Sequence, residues 1–186
     1  VAFAAGATTL VAQDVAKLTA NSDLVVRATV ARASSRWAAD RLRIVTLVEL
    51  QVAETYQGAP ASTVQVLQPG GVVGDVGQSI CGTASFSEGE EVVVFLEANP
   101  GGKFLVTGMA QGKFRVERST DGRAVFAVPE LEVDARLVDP ATGQSSPAAS
   151  QARVPLKLDE LVKQIRVAAK PLPVDAVATP AAVKVR

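Results

Sequence analysis

The sequence predicts a mainly β protein: an antiparallel barrel or sandwich of short strands with a helix near each end. Three observations lead there. Short runs of alternating aliphatic and polar residues recur at regular spacing. Gly, Pro, Asn and Asp gather between those runs, as tight connections require. Only two stretches carry apolar residues at helical spacing, one before and one after the alternating runs.

Leu10, Val11, Val15 and Leu18 fall at helical spacing, and Asn21-Ser22-Asp23 stops that helix with residues that favour caps and turns. Residues 24–32 read as a strand with Val26, Ala28 and Val30 on one face and Arg27 and Thr29 on the other. Residues 34–40 have the composition of a hairpin loop with Trp37 at its tip. Residues 42–52 form a longer strand, with Leu42, Ile44, Val48, Leu50 and Val52 inward. After the Gly58-Ala59-Pro60 turn, Val64 and Val66 share one face. Residues 70–90 show little periodicity and read as a long surface loop. Val92-Val93-Val94-Phe95-Leu96 is apolar on both faces, the pattern of a central strand. Asn99-Pro100-Gly101-Gly102 turns into a strand at 104–106. A bend between Gly108 and Gly112 follows, then a strand at 113–118 with Phe114 and Val116 inward. Asp121-Gly122 is a hairpin signal before a strand at 123–128. Finally Leu158, Leu161, Ile165 and Ala168 form one stripe, with acids early and bases late, as an amphipathic helix requires. No internal repeat is visible.

Composition narrows the chemistry. Hydrophobic types make up 48% of the 186 residues, enough for a core and too many for global disorder. Nineteen basic residues cancel nineteen acidic ones, which removes the simplest electrostatic case for a nucleic-acid or anionic-membrane binder. The sequence holds no His and one Cys. Ser-His-Asp and Cys-His catalysis, His-ligated metals, Cys-rich zinc sites and a disulfide within these residues are therefore excluded. The expectation is a non-enzymatic protein with no cofactor. Chemistry based on Lys or carboxylates is the enzymatic route that composition leaves open.

The ends are expected to lie outside the body. Residues 1–7 are apolar and uncharged, and Ala5-Gly6-Ala7 fits the small-x-small pattern ahead of a signal-peptidase cut. They read as the remnant of an export signal, or as an apolar arm that packs on its own body or on a neighbour's strand edge. An exported location follows: periplasmic, cell-surface or extracellular. No stretch reaches the ~20 apolar residues of a membrane-spanning helix. The division expected is a β-barrel domain with a strand extension at 8–139, a loop at 140–153, the helix region at 154–169 and a Pro/Ala-rich tail at 170–186.

The order of features resembles the netrin-like module, including the inhibitory domain of tissue inhibitors of metalloproteinases. The residues that carry the resemblance are Leu24-Val25-Val26-Arg27-Ala28-Thr29-Val30, Tyr56-Gln57-Gly58, Ile80-Cys81-Gly82, Gly89-Glu90-Glu91 and the following Val-Val-Val-Phe-Leu run. The likeness spans about residues 14–108 and implies an OB-like five-stranded Greek-key barrel flanked by helices. The chain also resembles a type of small exported bacterial protein, a likeness that adds no mechanism. In the inhibitors an N-terminal Cys places its amine and carbonyl on the protease zinc. Here the one Cys is Cys81, so the inhibitory chemistry does not carry over.

The function expected is an exported, non-enzymatic binding or structural module that acts through protein contacts, self-assembly included. A protease inhibitor using a loop or the N-terminal arm is one alternative. A filament subunit docking its arm on a neighbour is another. Trp37 with Arg36, Arg41 and Arg43 is the expected partner surface, since exposed Trp and Arg serve as anchors; a solvated strand face is the plain reading of the same residues. Nucleic acid is not expected there, because aromatics are only 4% of the chain and Asp40 and Glu49 interrupt the basic patch. Asp75, Glu88, Glu90 and Glu91 are a weak calcium candidate without an EF-hand pattern. Cys81 has no His to activate it and is a candidate for pairing with another chain. Gly70-Gly71-Val72-Val73-Gly74 lacks the Lys-Ser/Thr of a phosphate loop and reads as a turn.

Overall fold

The computed structural model of the chain describes residues 9–130, 136–139, 141–147 and 154–170. The export-signal or arm segment at 1–7 and the Pro/Ala-rich tail from 171 lie outside the described residues. In chain order the elements are β1 (Thr9–Val11), α1 (Val15–Asn21), β2 (Leu24–Trp37), β3 (Ile44–Gln57), β4 (Thr63–Pro69), β5 (Gly71–Val73), β6 (Val76–Gln78), β7 (Glu91–Asn99) and β8 (Lys103–Val106). A 3-10 turn (Met109–Gly112), β9 (Lys113–Arg118), β10 (Val125–Pro129), β11 (Arg136–Val138), β12 (Ser145–Pro147), β13 (Leu156–Lys157) and α2 (Leu158–Ala168) follow.

The protein is mainly β and is built on a ring. Around it β7 pairs with β2, β2 with β3, β3 with β4, β4 with β8, and β8 returns to β7. Every ring pairing is antiparallel except β4 with β8, which is parallel and consists of Val66 opposite Phe104. Five strands close only if the sheet bends sharply. The long β2–β3 hairpin provides the bend through register shifts at Val25/Val26, Arg27/Ala28 and Val30/Arg32. From β7 the sheet also runs outward through β9 and β10 to β13. A separate small sheet joins β1, β11 and β12.

Strand alternation creates two cores. Val26, Ala28, Val48, Leu50, Val64, Val66, Val92 and Val94 fill the ring. The opposite face of β2, β7, β9 and β10 turns Val25, Val93, Phe95, Phe114 and Ala127 toward the helices, where Leu18, Leu158, Leu161 and Ile165 cover them. This double burial explains why β7 is apolar on both faces. It also moves Phe114 and Val116 from the expected barrel interior to the helix-covered core.

Gln57 ties the two layers together. Its buried amide nitrogen donates to the carbonyls of Thr19 (2.9 Å) and Ser22 (2.7 Å), and its oxygen accepts from the backbone of Lys170 (3.0 Å). Gln57→Ala leaves these groups without the side chain that joins them. The expected loss is about 1–3 kcal/mol, read as a lowered urea midpoint; an unchanged midpoint would dismiss the staple.

Four expectations need correction. Leu10 and Val11 are not helical: β1 pairs in parallel with β11, and Asp14 caps a helix that starts at Val15 by accepting from Lys17 N at 2.7 Å. Ser34, Ser35, Arg36 and Trp37 belong to β2, and the turn is confined to residues 38–43. Leu42 sits in that turn and is 79% exposed, where the alternation had placed it inward. Residues 70–90 are not a plain surface loop, since they contain the β5–β6 hairpin and bury Ala84 in the ring.

Candidate binding groove at the open end of the ring

The ring is unevenly finished. β7 pairs with β2 only from Leu24 to Thr29, so the remainder of β2 runs on with β3 and β4 beyond the closed section. On the inner face of this projecting wall the alternation changes from aliphatic to small and polar: Ala33 and Ser35 on β2, Thr46 and Val48 on β3, and Gln68 on β4. Opposite stand β5, β6 and residues 79–86. Between them lies a groove of about 540 Å³ whose lining includes no charged side chain. That volume is typical of ligand pockets.

Specific contacts shape this groove. Ser35 Oγ and Thr46 Oγ1 are 2.9 Å apart, and Thr46 Oγ1 donates to the Gly70 carbonyl at 2.7 Å. Gln78 Oε1 accepts from Ile44 N at 2.7 Å, which holds β6 against the hairpin. A Cβ at Gly71 would strike Ser35 and Thr46, and its φ of +136° also favours glycine. Gln68 is 7% exposed, and its amide nitrogen has no hydrogen-bond partner. Val72 and Ile80 in the lining are exposed, as are Val76 on the β5–β6 hairpin that forms one wall and Trp37, at 41%, two residues past Ser35 on β2.

The groove's far wall is fastened by a buried lysine. Lys113 is 1% exposed, and its Nζ donates to both oxygens of Glu90 at 2.9 Å and to the Ser85 carbonyl. Glu130 Oε2 lies 2.7 Å from the same ammonium, while Glu130 Oε1 accepts from Ser85 N and Oγ. The Phe86 ring centroid is 4.8 Å from Nζ, a cation–π contact. Two carboxylates, a carbonyl and an aromatic face surround one cation. The arrangement anchors residues 85–90 and leaves the amine no open approach for chemistry.

Acid should loosen this fastening. Burial alone would raise the Glu130 pKa, but hydrogen bonds from Lys113 and Ser85 and the Lys113 charge outweigh it, so the group lies below the ordinary 4.5. Glu91 is lowered in the same way, its burial outweighed by Arg27 and Arg118. A carboxylate depressed in the folded state contributes stability that is complete above its unfolded pKa and is lost as pH falls through the folded one. The urea midpoint should therefore drop below pH 4.5, and drop less steeply in Glu130→Gln. Parallel profiles for the two proteins would contradict this assignment.

The predicted site residues are only partly brought together. Arg36 and Arg43 line a cleft of about 320 Å³ with Lys103, Asn99 and Pro100, and no aromatic side chain lines it. Arg43 is paired with Asp40 at 2.7 Å. Trp37 alternates with Arg36 along β2 and so faces the groove side. Arg41 is in the turn with φ of 54°. Arg27 is separate from this tip: it bonds Glu91 at 2.6–2.7 Å and Glu54 at 3.1 Å on the outer ring face. There burial pushes the Tyr56 phenol up to about 12, with Glu54 adding to it, so the group stays neutral.

The acids proposed for calcium do not converge. Glu90 is held by Lys113, Glu91 by Arg27 and Arg118, and Glu88 accepts from Ala33 N at 3.1 Å. Asp75 is in the β5–β6 turn. Among the described residues no group of three or more Cys, Asp or Glu is placed to hold a metal ion. Cys81 is exposed beside the groove, between Ile80 and Gly82. No helix among the described residues is long and apolar enough to cross a membrane. No family model matches the chain, and no curated protein or solved structure matches it significantly.

Proposed function

We propose that the chain is an exported, non-enzymatic binding module that acts through protein–protein contacts at the open end of its ring. The observation that carries this is an uncharged groove with exposed apolar residues in and near it: Val72 and Ile80 in its lining, Val76 on the β5–β6 hairpin that forms one wall, and Trp37 two residues past Ser35 on β2 all leave apolar surface in water. Exposed apolar side chains gathered at a concavity favour a protein partner over bulk solvent. The lysine clamp keeps the opposite wall fixed, which lowers the ordering cost of binding.

An OB-like, netrin-module-like barrel is the finer fold we propose. The cyclic strand order and the parallel β4–β8 closure support it. The filament alternative rests on residues 1–7 and the inhibitor alternative on those residues or on a loop, and no described feature favours either. A photo-reactive residue in place of Val76 tests the proposal in cells that make the chain, with the same residue at Val167 on α2 as an exposed control. Cross-linking to a protein, a second copy included, is expected at 76 and not at 167. Equal yields at the two positions, or none at 76, would sink it.

A further inference from the structure

The groove has a neighbour that side chains alone do not reveal: a length of β2 backbone with one side unpaired. Ala33 N donates to Glu88 and so points away from β3, whereas Ala38 N donates to the Arg43 carbonyl and points toward it. Backbone groups on a strand alternate direction with a period of two. The N–H and C=O of Ser35 and Trp37 therefore point to the same side as Ala33 N. The close Ser35–Thr46 side-chain contact agrees, because facing side chains come nearest in the non-hydrogen-bonded pairs of an antiparallel ladder. β7 does not cover this stretch, since its ladder with β2 ends at Thr29 opposite Glu91. Among the described residues no strand flanks that side of residues 33–37.

We infer that residues 33–37 of β2 accept an extended peptide segment of a partner protein as an added strand, with alternate side chains of that segment entering the groove. This deepens the proposed function and rests on the open end being the contact surface. The edge is about 13 Å long at strand spacing, room for five residues. A peptide laid along it satisfies the free backbone groups of Ser35 and Trp37.

The chemistry of the segment follows from what it meets. Side chains entering the groove encounter Val48, Val72 and Phe86 with no charge, so they are small, apolar or uncharged. The unpartnered Gln68 amide nitrogen needs one acceptor among them. At the hairpin tip Arg36, Arg41 and Arg43 outnumber Asp40, which calls for an acidic residue on the segment where it leaves the edge. The partner is thus an alternating, uncharged strand with a carboxylate at one end. A nucleic acid fits neither the uncharged groove nor the amide edge.

The test selects peptides from a displayed random decapeptide library on the full chain, then measures the enriched peptide by fluorescence anisotropy. Alternating small apolar residues with a terminal Asp or Glu are expected; no enrichment, or enrichment of a pattern without alternation, overturns the inference. Ser35→Pro removes an N–H that β3 does not use, and edge positions tolerate proline. It also removes the Ser35 hydroxyl that meets Thr46, so Ser35→Ala, which lacks the same hydroxyl and keeps the N–H, is the reference: relative to it, Ser35→Pro should weaken binding more than tenfold. N-methylation of alternate amides in the peptide should do the same without altering the protein. Val72→Asp charges the groove rim and leaves the edge intact. Binding that falls with Val72→Asp but survives both Ser35→Pro and peptide methylation overturns the added strand and leaves the open-end surface standing. Binding indifferent to all three changes overturns both.

Discussion

Lys113→Met is expected to cost about 3–5 kcal/mol, because removing one member of a buried ion cluster leaves the others uncompensated. Glu90 and Glu130 would face each other across an apolar side chain, and the Ser85 carbonyl would lose its donor. The damage should be local as well as global. Residues 85–90 are held to β9 mainly through this ammonium, so the amides of Ser85 and Phe86 should exchange faster while those of β7 stay protected. Adding Glu90→Gln and Glu130→Gln to Lys113→Met should restore part of the loss, since the stranded charges go with their partner. Urea unfolding measures both. A loss under 1 kcal/mol, or a triple variant weaker than the single one, would show that the cluster is not what fixes this wall.

Phe95→Ala carries a comparable penalty of about 3–5 kcal/mol, for a different reason: it opens a cavity in the core beneath the helices. Phe95 is fully buried on β7, and its ring lies 5.9 Å from that of Phe114 at an interplanar angle of 54°. The two-core arrangement makes a sharper statement than the single value. Combined with Leu161→Ala, which empties the same core, Phe95→Ala should be non-additive. Combined with Val48→Ala inside the ring it should add within about 0.5 kcal/mol. Coupling to Val48 as strong as to Leu161 would mean that the two cores respond as one.

The parts of this protein that were legible in its sequence are those where one face is greasy and the pattern is local. Val92 to Leu96 announced a strand covered on both sides, and Leu158, Leu161 and Ile165 announced the covering helix. The far end of β2 was not legible. Ser35 lines an unfilled groove and Ser34 is exposed on the opposite face, so the alternation there is between polar and polar, which composition cannot separate from a loop. Lys113 was missed because a lysine at the head of a strand ordinarily stays in water. Its burial depends on Glu90 and Glu130, which reach it only once the sheet is assembled. Trp37 and Arg36 were read as one patch although neighbours on a strand look opposite ways. The free edge of β2 left no trace in residue types at all, since it is a property of which strands stop early.

The ring's closure has a mechanical consequence. Val66 opposite Phe104 is the one rung joining β4 to β8, while β8 keeps four rungs to β7. Under mild heating or denaturant the cylinder should unzip there first and relax into a curved ribbon, with β8 still riding on β7. Its circumference is therefore adjustable at a single latch, on the far side from the helices that brace β7 and β2.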